Sequence, residues 1–341
     1  MNRYGKIFGN LETLGKGDTM EAVKLIPALK QTIWGGQRLK KLYDGTGMEN
    51  IAESWVLSCH PAGPSVVADG EDAGRTLPDV LQKAGKAAVG TRSPEGDFPL
   101  LIKLIDAADR LSLQVHPDNA YAREHENEYG KTECWYILDS EPGAELIFGM
   151  QDALSREQFR QSIADNTLLS HVRHVQVKKG DTAFIPAGTL HGIGKGILLA
   201  EVQQSSDTTY RVYDYGRLQN GKPRQLHIDQ AVAVTNLSPS DASLVPMGKK
   251  EEKDGYTEQL LSACQYFVMK QIEIDSRYMG VCDDTSFTSL VVLAGEGTYE
   301  GGETTLSLKT GDSLFIPAAT GQYTVTGHLQ LLHTTLGKKD D

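Results

Sequence analysis

The sequence has no run of apolar residues approaching the roughly 18 that a membrane-spanning helix requires. Its N-terminus, MNRYGKIFGNLETLGKGD, lacks the apolar core of a secretory signal. Cysteine is scarce: the four, at 59, 134, 264 and 282, form no CxxC pair and show no framework spacing. That excludes a disulfide scaffold and fits reduced thiols, so a cytoplasmic protein is expected. An excess of positive charge is missing too. With 34 Lys and Arg against 45 Asp and Glu, the net charge is −11. Without a basic surface to displace counterions, non-specific nucleic-acid binding is not the main activity. Any anionic ligand must be held by a local cluster of Lys or Arg.

What is present suits a globular chain, 39% hydrophobic and 23% charged. Its 341 residues exceed what one core usually organises, so two compact units are expected. Residues 1–20 are Gly-rich, polar and aperiodic, and are expected to form a flexible N-terminal tail. Residues 237–255, LSPSDASLVPMGKKEEKDG, read as a linker. It separates a domain at 21–240 from a C-terminal β domain at 256–337, where short alternating runs with turn signals suggest a sandwich or barrel. Residues 76–90 predict a helix capped by Thr76, with Pro78 in the first turn. Residues 153–175 predict a helical insertion (about 152–175) started by Ser155, and 198–217 predict one long strand. FPLLIKLI predicts a strand buried on both faces.

A repeat ties the halves together. KKGDTAFIPAGTLHGI, from Lys178, aligns with KTGDSLFIPAATGQYT, from Lys309, at a constant offset with the shared core G-D-x-x-F-I-P-A. Two copies of one β-unit follow. The copies part at the polar positions: His191 falls opposite Gln322.

The chemistry is concentrated in LSLQVHPDNAYAREHENEYGKTECWY, residues 111–136. LSLQV alternates as a half-buried strand, and Gln114 and His116, at i and i+2, share a face. Lys131 and Glu133 share a face by the same parity. His116, Glu133 and His191 would supply a His₂Glu metal set with an open coordination position, and Gln114 a weaker fourth donor. Iron is not excluded by those ligand types, so an iron-dependent oxygenase and a binding module without turnover stand as competing readings. The pairing of Lys131 and Arg211 favours an anionic substrate.

LSLQVHPDNAYA, GKTECWY, FIPAGTLHGI and EVQQSSDTTYRVYDYGR together resemble the type I phosphomannose isomerases in their shorter bacterial form, as do IWGGQRL and ESWVLSCHPAGPS. The resemblance covers roughly residues 23–230. It implies a mainly β fold of two cupin-type jelly-roll units with a small helical insertion, the catalytic cupin at 21–240 and a degenerate cupin-like domain at 256–337. It also implies one zinc per chain and interconversion of mannose 6-phosphate and fructose 6-phosphate through an enediolate. His116, Glu133 and His191 match the family's zinc ligands, and Gln114 matches the glutamine that joins them in longer relatives. Arg211 matches an active-site arginine, Lys131 a lysine beside the metal-binding glutamate, and Ser112 a pocket serine. The long form's Gly-His-x-x-Lys-Pro-Glu pattern is absent, which assigns the chain to the short subgroup. The expected partner is a phosphorylated hexose, with no nucleic acid or membrane, on a monomer or homodimer. Lys131, His60 and a metal-bound water all remain possible as the base.

Overall fold

The computed structural model describes residues 20–94 and 98–338, so the tail expected at 1–20 lies outside them except for Met20. The described chain is mostly β and forms two compact units, each discontinuous in sequence. One takes the described parts of residues 1–29, 54–103 and 246–341; the other takes 30–53 and 104–245. No described helix is long and apolar enough to cross a membrane.

In the first unit, strands Thr288–Gly301 and Gly321–Leu336 pair antiparallel along their length, from Thr288↔Thr335 to Gly301↔Tyr323. Phe267–Ile274 continues that sheet from the other edge of Gly321–Leu336. Residues alternate between faces along each strand, and one face closes over a core that includes Ile272, Leu290, Val292, Leu314 and Leu331. Helix Leu77–Ala84 starts as predicted, with Thr76 Oγ1 accepting the Asp79 N–H and Pro78 in the first turn, but it stops short of residue 90 because Gly85 adopts φ 81°.

Two sheets build the second unit. One runs, in order, Tyr210–Tyr213, Leu113–Val115, His191–Ile193, Glu145–Met150 and Val172–Gln176. The other includes Thr182–Ile185, Glu133–Ser140 and Ile197–Gln204 side by side. Leu146 and Phe148 from the first sheet pack with Trp135 and Ile137 from the second in one apolar layer. On the far face of the first sheet, Leu113, Val115 and Tyr210 pack with Phe159 and Ile163 of helix Arg156–Ala164 and with Ala231 and Val232 of helix Ile228–Val234.

The repeated motif is one local structure twice. Gly180 and Gly311 turn at φ 94° and 91°, a left-handed conformation that costs glycine nothing. Asp181 Oδ2 accepts the Lys178 N–H at 2.9 Å, and Asp312 Oδ2 accepts the Lys309 N–H at 3.1 Å. Each turn then delivers a strand, Thr182–Ile185 or Ser313–Ile316.

Two further expectations need correction. The helical insertion is shorter than 153–175. A capping box on Ser155 and Gln158 starts it as predicted, but it runs only over Arg156–Ala164, because Asn166 adopts φ 60° and ends it. Val172–Gln176 joins the sheet instead. The long strand predicted over 198–217 is two strands in different sheets, Ile197–Gln204 and Tyr210–Tyr213, with the small polar run Ser205-Ser206-Asp207 in the break. The polar connection after His116 contains a helix, Asn119–His125, capped by Asp118, whose carboxylate accepts the Tyr121 N–H at 2.9 Å.

Candidate active site

Glu133 opens its strand facing the layer between the two sheets of the second unit, in the same register as Trp135 and Ile137. His116 follows strand Leu113–Val115, and His191 opens the strand beside it. All three are buried, at 1%, 0% and 0% exposure for His116, Glu133 and His191, and one ligand atom from each lies within 4.8 Å of the others.

Backbone carbonyls fix both imidazoles. His116 Nδ1 donates to Thr208 O at 2.9 Å, and His191 Nδ1 donates to Thr189 O at 2.8 Å. With the proton on Nδ1, each Nε2 presents a lone pair. Among the described residues His191 Nε2 has no hydrogen-bond partner, and it lies 3.2 Å from Glu133 Oε1; His116 Nε2 lies 3.7 Å from Glu133 Oε2. Burial and the nearby Lys131 ammonium lower the His191 pKa to about 4, so the ring is neutral at physiological pH. Two lone pairs facing a carboxylate in a buried pocket call for a cation. Lys131 supplies one: its Nζ, 4% exposed as a residue, forms an ion pair with Glu133 Oε2 at 2.6 Å and donates to His116 Nε2 at 3.1 Å. A divalent metal ion fits the same donors, two imidazole nitrogens and a carboxylate.

Gln114 is the direct cross-strand partner of His191 on one side and of Arg211 on the other. Cross-strand partners share a face, so His191, Gln114 and Arg211 form one row, its ends two strand spacings or about 10 Å apart. Arg211 Nε donates to Ser112 Oγ at 3.3 Å and Nη1 to Gln225 O at 2.9 Å. Its pKa is lowered by burial first and then by Arg224, with Asp214 opposing. The structure therefore brings His116, Glu133, His191 and Lys131 into contact, and joins Gln114, Arg211 and Ser112 to them through one sheet face. His60 belongs to the other unit, where its Nδ1 accepts the Ala62 N–H and its ring meets Trp55 edge-on at 5.8 Å.

Two features escaped the sequence reading. Glu201 is buried; its Oε2 accepts the Trp135 Nε1–H at 2.7 Å and its Oε1 lies 3.9 Å from Lys131 Nζ. The signal was available, since Glu201 continues the inward register of Ile197 and Leu199 and a carboxylate there is out of place in a core. The second is a basic cluster. Asp214 takes Arg217 Nη2 at 2.6 Å and Arg224 Nε at 2.8 Å, while the Arg110 and Arg217 guanidiniums lie 4.7 and 5.5 Å from the Tyr215 ring. Burial pulls the Asp214 pKa up, but the two arginines outweigh it and the net shift is downward.

Residues 22–162 match the family model for the phosphomannose isomerase type I catalytic domain, and residues 257–336 match the mannose-6-phosphate isomerase cupin domain. The chain is 39% identical over 315 residues to a mannose-6-phosphate isomerase of Streptococcus mutans, covering 92% of this chain and 97% of that one. The chain belongs to the type I mannose-6-phosphate isomerase family. Another mannose-6-phosphate isomerase, ManA of Bacillus subtilis, is 37% identical over 317 residues. The crystal structure of the mannose 6-phosphate isomerase from Bacillus subtilis superposes at a TM-score of 0.85, covering 92% of this chain and 99% of that one at 36% identity. Phosphomannose isomerase from Salmonella typhimurium shares the fold at a TM-score of 0.74 and 18% identity. The expected fold class agrees with these family matches: mostly β, with a cupin domain and a small helical insertion.

Proposed function

We propose that this mannose-6-phosphate isomerase interconverts mannose 6-phosphate and fructose 6-phosphate in the pocket of His116, Glu133 and His191, with one zinc ion per chain held by those residues and Gln114 as a weaker fourth donor. The observation that carries the reading is the buried pair of imidazoles, both with Nδ1 committed to carbonyls, facing one carboxylate. A zinc ion there would supply Lewis-acid polarisation of the sugar oxygens.

The chain's own groups do the rest. Aldose–ketose exchange moves a proton between neighbouring carbons through an enediolate. Lys131 Nζ is the proton carrier at the pocket, ion-paired with Glu133, hydrogen-bonded to His116 and backed by Glu201. Arg211, oriented by Ser112 and the Gln225 carbonyl, holds the phosphate or the enediolate from the end of the row opposite His191. Arg217 and Arg224 add positive charge that Asp214 only partly offsets. Trp135 of the apolar layer meets the His191 ring edge-on at 5.3 Å and so helps fix the imidazole's place.

This reading places catalysis within 21–240 and leaves 256–337 as a degenerate cupin-like domain. The proposed set comes from one chain, so a monomer or a homodimer would serve. Free Cys59, Cys134, Cys264 and Cys282 support a reducing, cytoplasmic setting. The test measures metal content and turnover on one preparation, repeated with His191→Ala. Zinc near one per chain, lost with turnover in the variant, is the expected result. Unchanged turnover in the variant would mean the pocket is misplaced.

A further inference from the structure

We infer that Glu128 is a positioning residue for the metal centre, acting through the Thr208 carbonyl on His116. The inference rests on the metal-site reading above and adds a residue to it.

Glu128 lies in the loop between helix Asn119–His125 and Lys131, and it is partly buried. One of its oxygens, Oε2, accepts three hydrogen bonds from the break between strands Ile197–Gln204 and Tyr210–Tyr213: Ser206 Oγ at 2.9 Å, the Asp207 N–H at 3.3 Å and Thr208 Oγ1 at 2.8 Å. Ser206 is itself fully buried, its Oγ accepts the Thr208 N–H at 3.2 Å, and its carbonyl accepts Gln203 Nε2 at 2.7 Å. The purpose of so many bonds on a short irregular segment is visible at its end. Thr208 O takes the Nδ1–H of His116 at 2.9 Å. A carbonyl at that place selects the tautomer in which Nε2 faces Glu133 and sets the ring's rotation about its side-chain bonds.

The same carboxylate thus joins two segments that carry the site. Its own loop continues within five residues to Lys131 and Glu133, and the segment it holds orients His116. A charged acceptor is suited to the task, because bonds to an ionised oxygen are roughly twice as strong as neutral ones. An unbonded 205–209 segment would let the carbonyl wander, and each departure would cost metal affinity.

The experiment measures zinc affinity by competition with a chromophoric chelator in the wild-type chain, Glu128→Ala and Glu128→Gln, and records the imidazole nitrogen resonances of His116 in the metal-free proteins. Glu128→Ala is expected to bind zinc about 10- to 100-fold more weakly and to show His116 in mixed tautomers. Glu128→Gln, whose side-chain oxygen accepts the same bonds, is expected to stay within about threefold. Were Glu128→Ala to fail to fold, the double variant Ser206→Ala, Thr208→Val removes two of the three donors while keeping the Thr208 carbonyl, and should weaken binding in the same direction. Wild-type affinity and a single His116 tautomer in Glu128→Ala, or in the double variant, would overturn the inference. Failure of the wild-type chain to bind zinc at all would instead overturn the reading on which it stands.

Discussion

Lys131 Nζ sits 2.6 Å from Glu133 Oε2 and 3.1 Å from His116 Nε2, so its ammonium claims two of the atoms proposed for the metal. Lysine and metal are competitors for the same lone pairs. Lys131→Ala should therefore leave zinc affinity unchanged or raised, while turnover falls by about 100-fold or more, the scale of a lost proton-transfer group. Metal analysis and steady-state kinetics on the same sample decide this. Loss of metal along with activity would make Lys131 a structural partner only.

Arg211 anchors the opposite end of the row. Arg211→Ala is expected to cut kcat/KM by about 10²-fold, near the 3 kcal/mol of a charged hydrogen bond to substrate, with zinc retained. Arg211→Lys should recover little of it, since one ammonium cannot reproduce a fork held by Ser112 Oγ and Gln225 O. Ser112→Ala removes only the orienting hydroxyl and should cost less than tenfold. A Ser112→Ala loss equal to that of Arg211→Ala would reassign the serine to direct contact with substrate.

Gln114 stands between His191 and Arg211 without a charge of its own. Gln114→Ala should weaken zinc binding less than His116→Ala does, by about tenfold if the amide oxygen is a ligand in the manner of a supporting donor. Zinc affinity equal to wild type would remove it from the set.

A pH effect is expected outside the active site. Burial first, and then Lys270 across the strand, lower the His333 pKa from 6.5 to about 4. Above pH 6.5 the residue is neutral in both states and contributes no pH dependence. Between about 6.5 and 4 the unfolded chain takes up a proton that the folded one refuses, so stability falls as pH falls, and below about 4 the loss is complete. At about 1.4 kcal/mol per unit the total is about 3 kcal/mol. Urea unfolding of the wild type and His333→Gln across this window should show a shallower slope in the variant; equal slopes would show that another group governs.

The sequence reading reached the site because its side chains lie on strands or at their ends, where parity is legible: Gln114 and His116, and Lys131 and Glu133, are neighbours two apart that share a face. It missed Thr208 because a backbone carbonyl has no residue signature, and any amino acid would have offered one. It ran the helix past Ala164 because an apolar stripe cannot announce that Asn166 will turn left-handed. The break at 205–209 was hidden for a related reason. The strand pattern resumes at Tyr210 after the polar run 203–209, so pattern alone could not reveal that Ile197–Gln204 and Tyr210–Tyr213 have different neighbours.

The twin turns at Gly180-Asp181 and Gly311-Asp312 separate two kinds of inheritance. Each copy retains the bend and the strand it launches, yet only one retains an imidazole eleven positions after its turn glycine, where the other has Gln322. Instructions for shape and instructions for reactivity are thus written on different letters of one motif. A lineage can erase the second without disturbing the first, which leaves the C-terminal copy free to drift in purpose while its architecture stays intact.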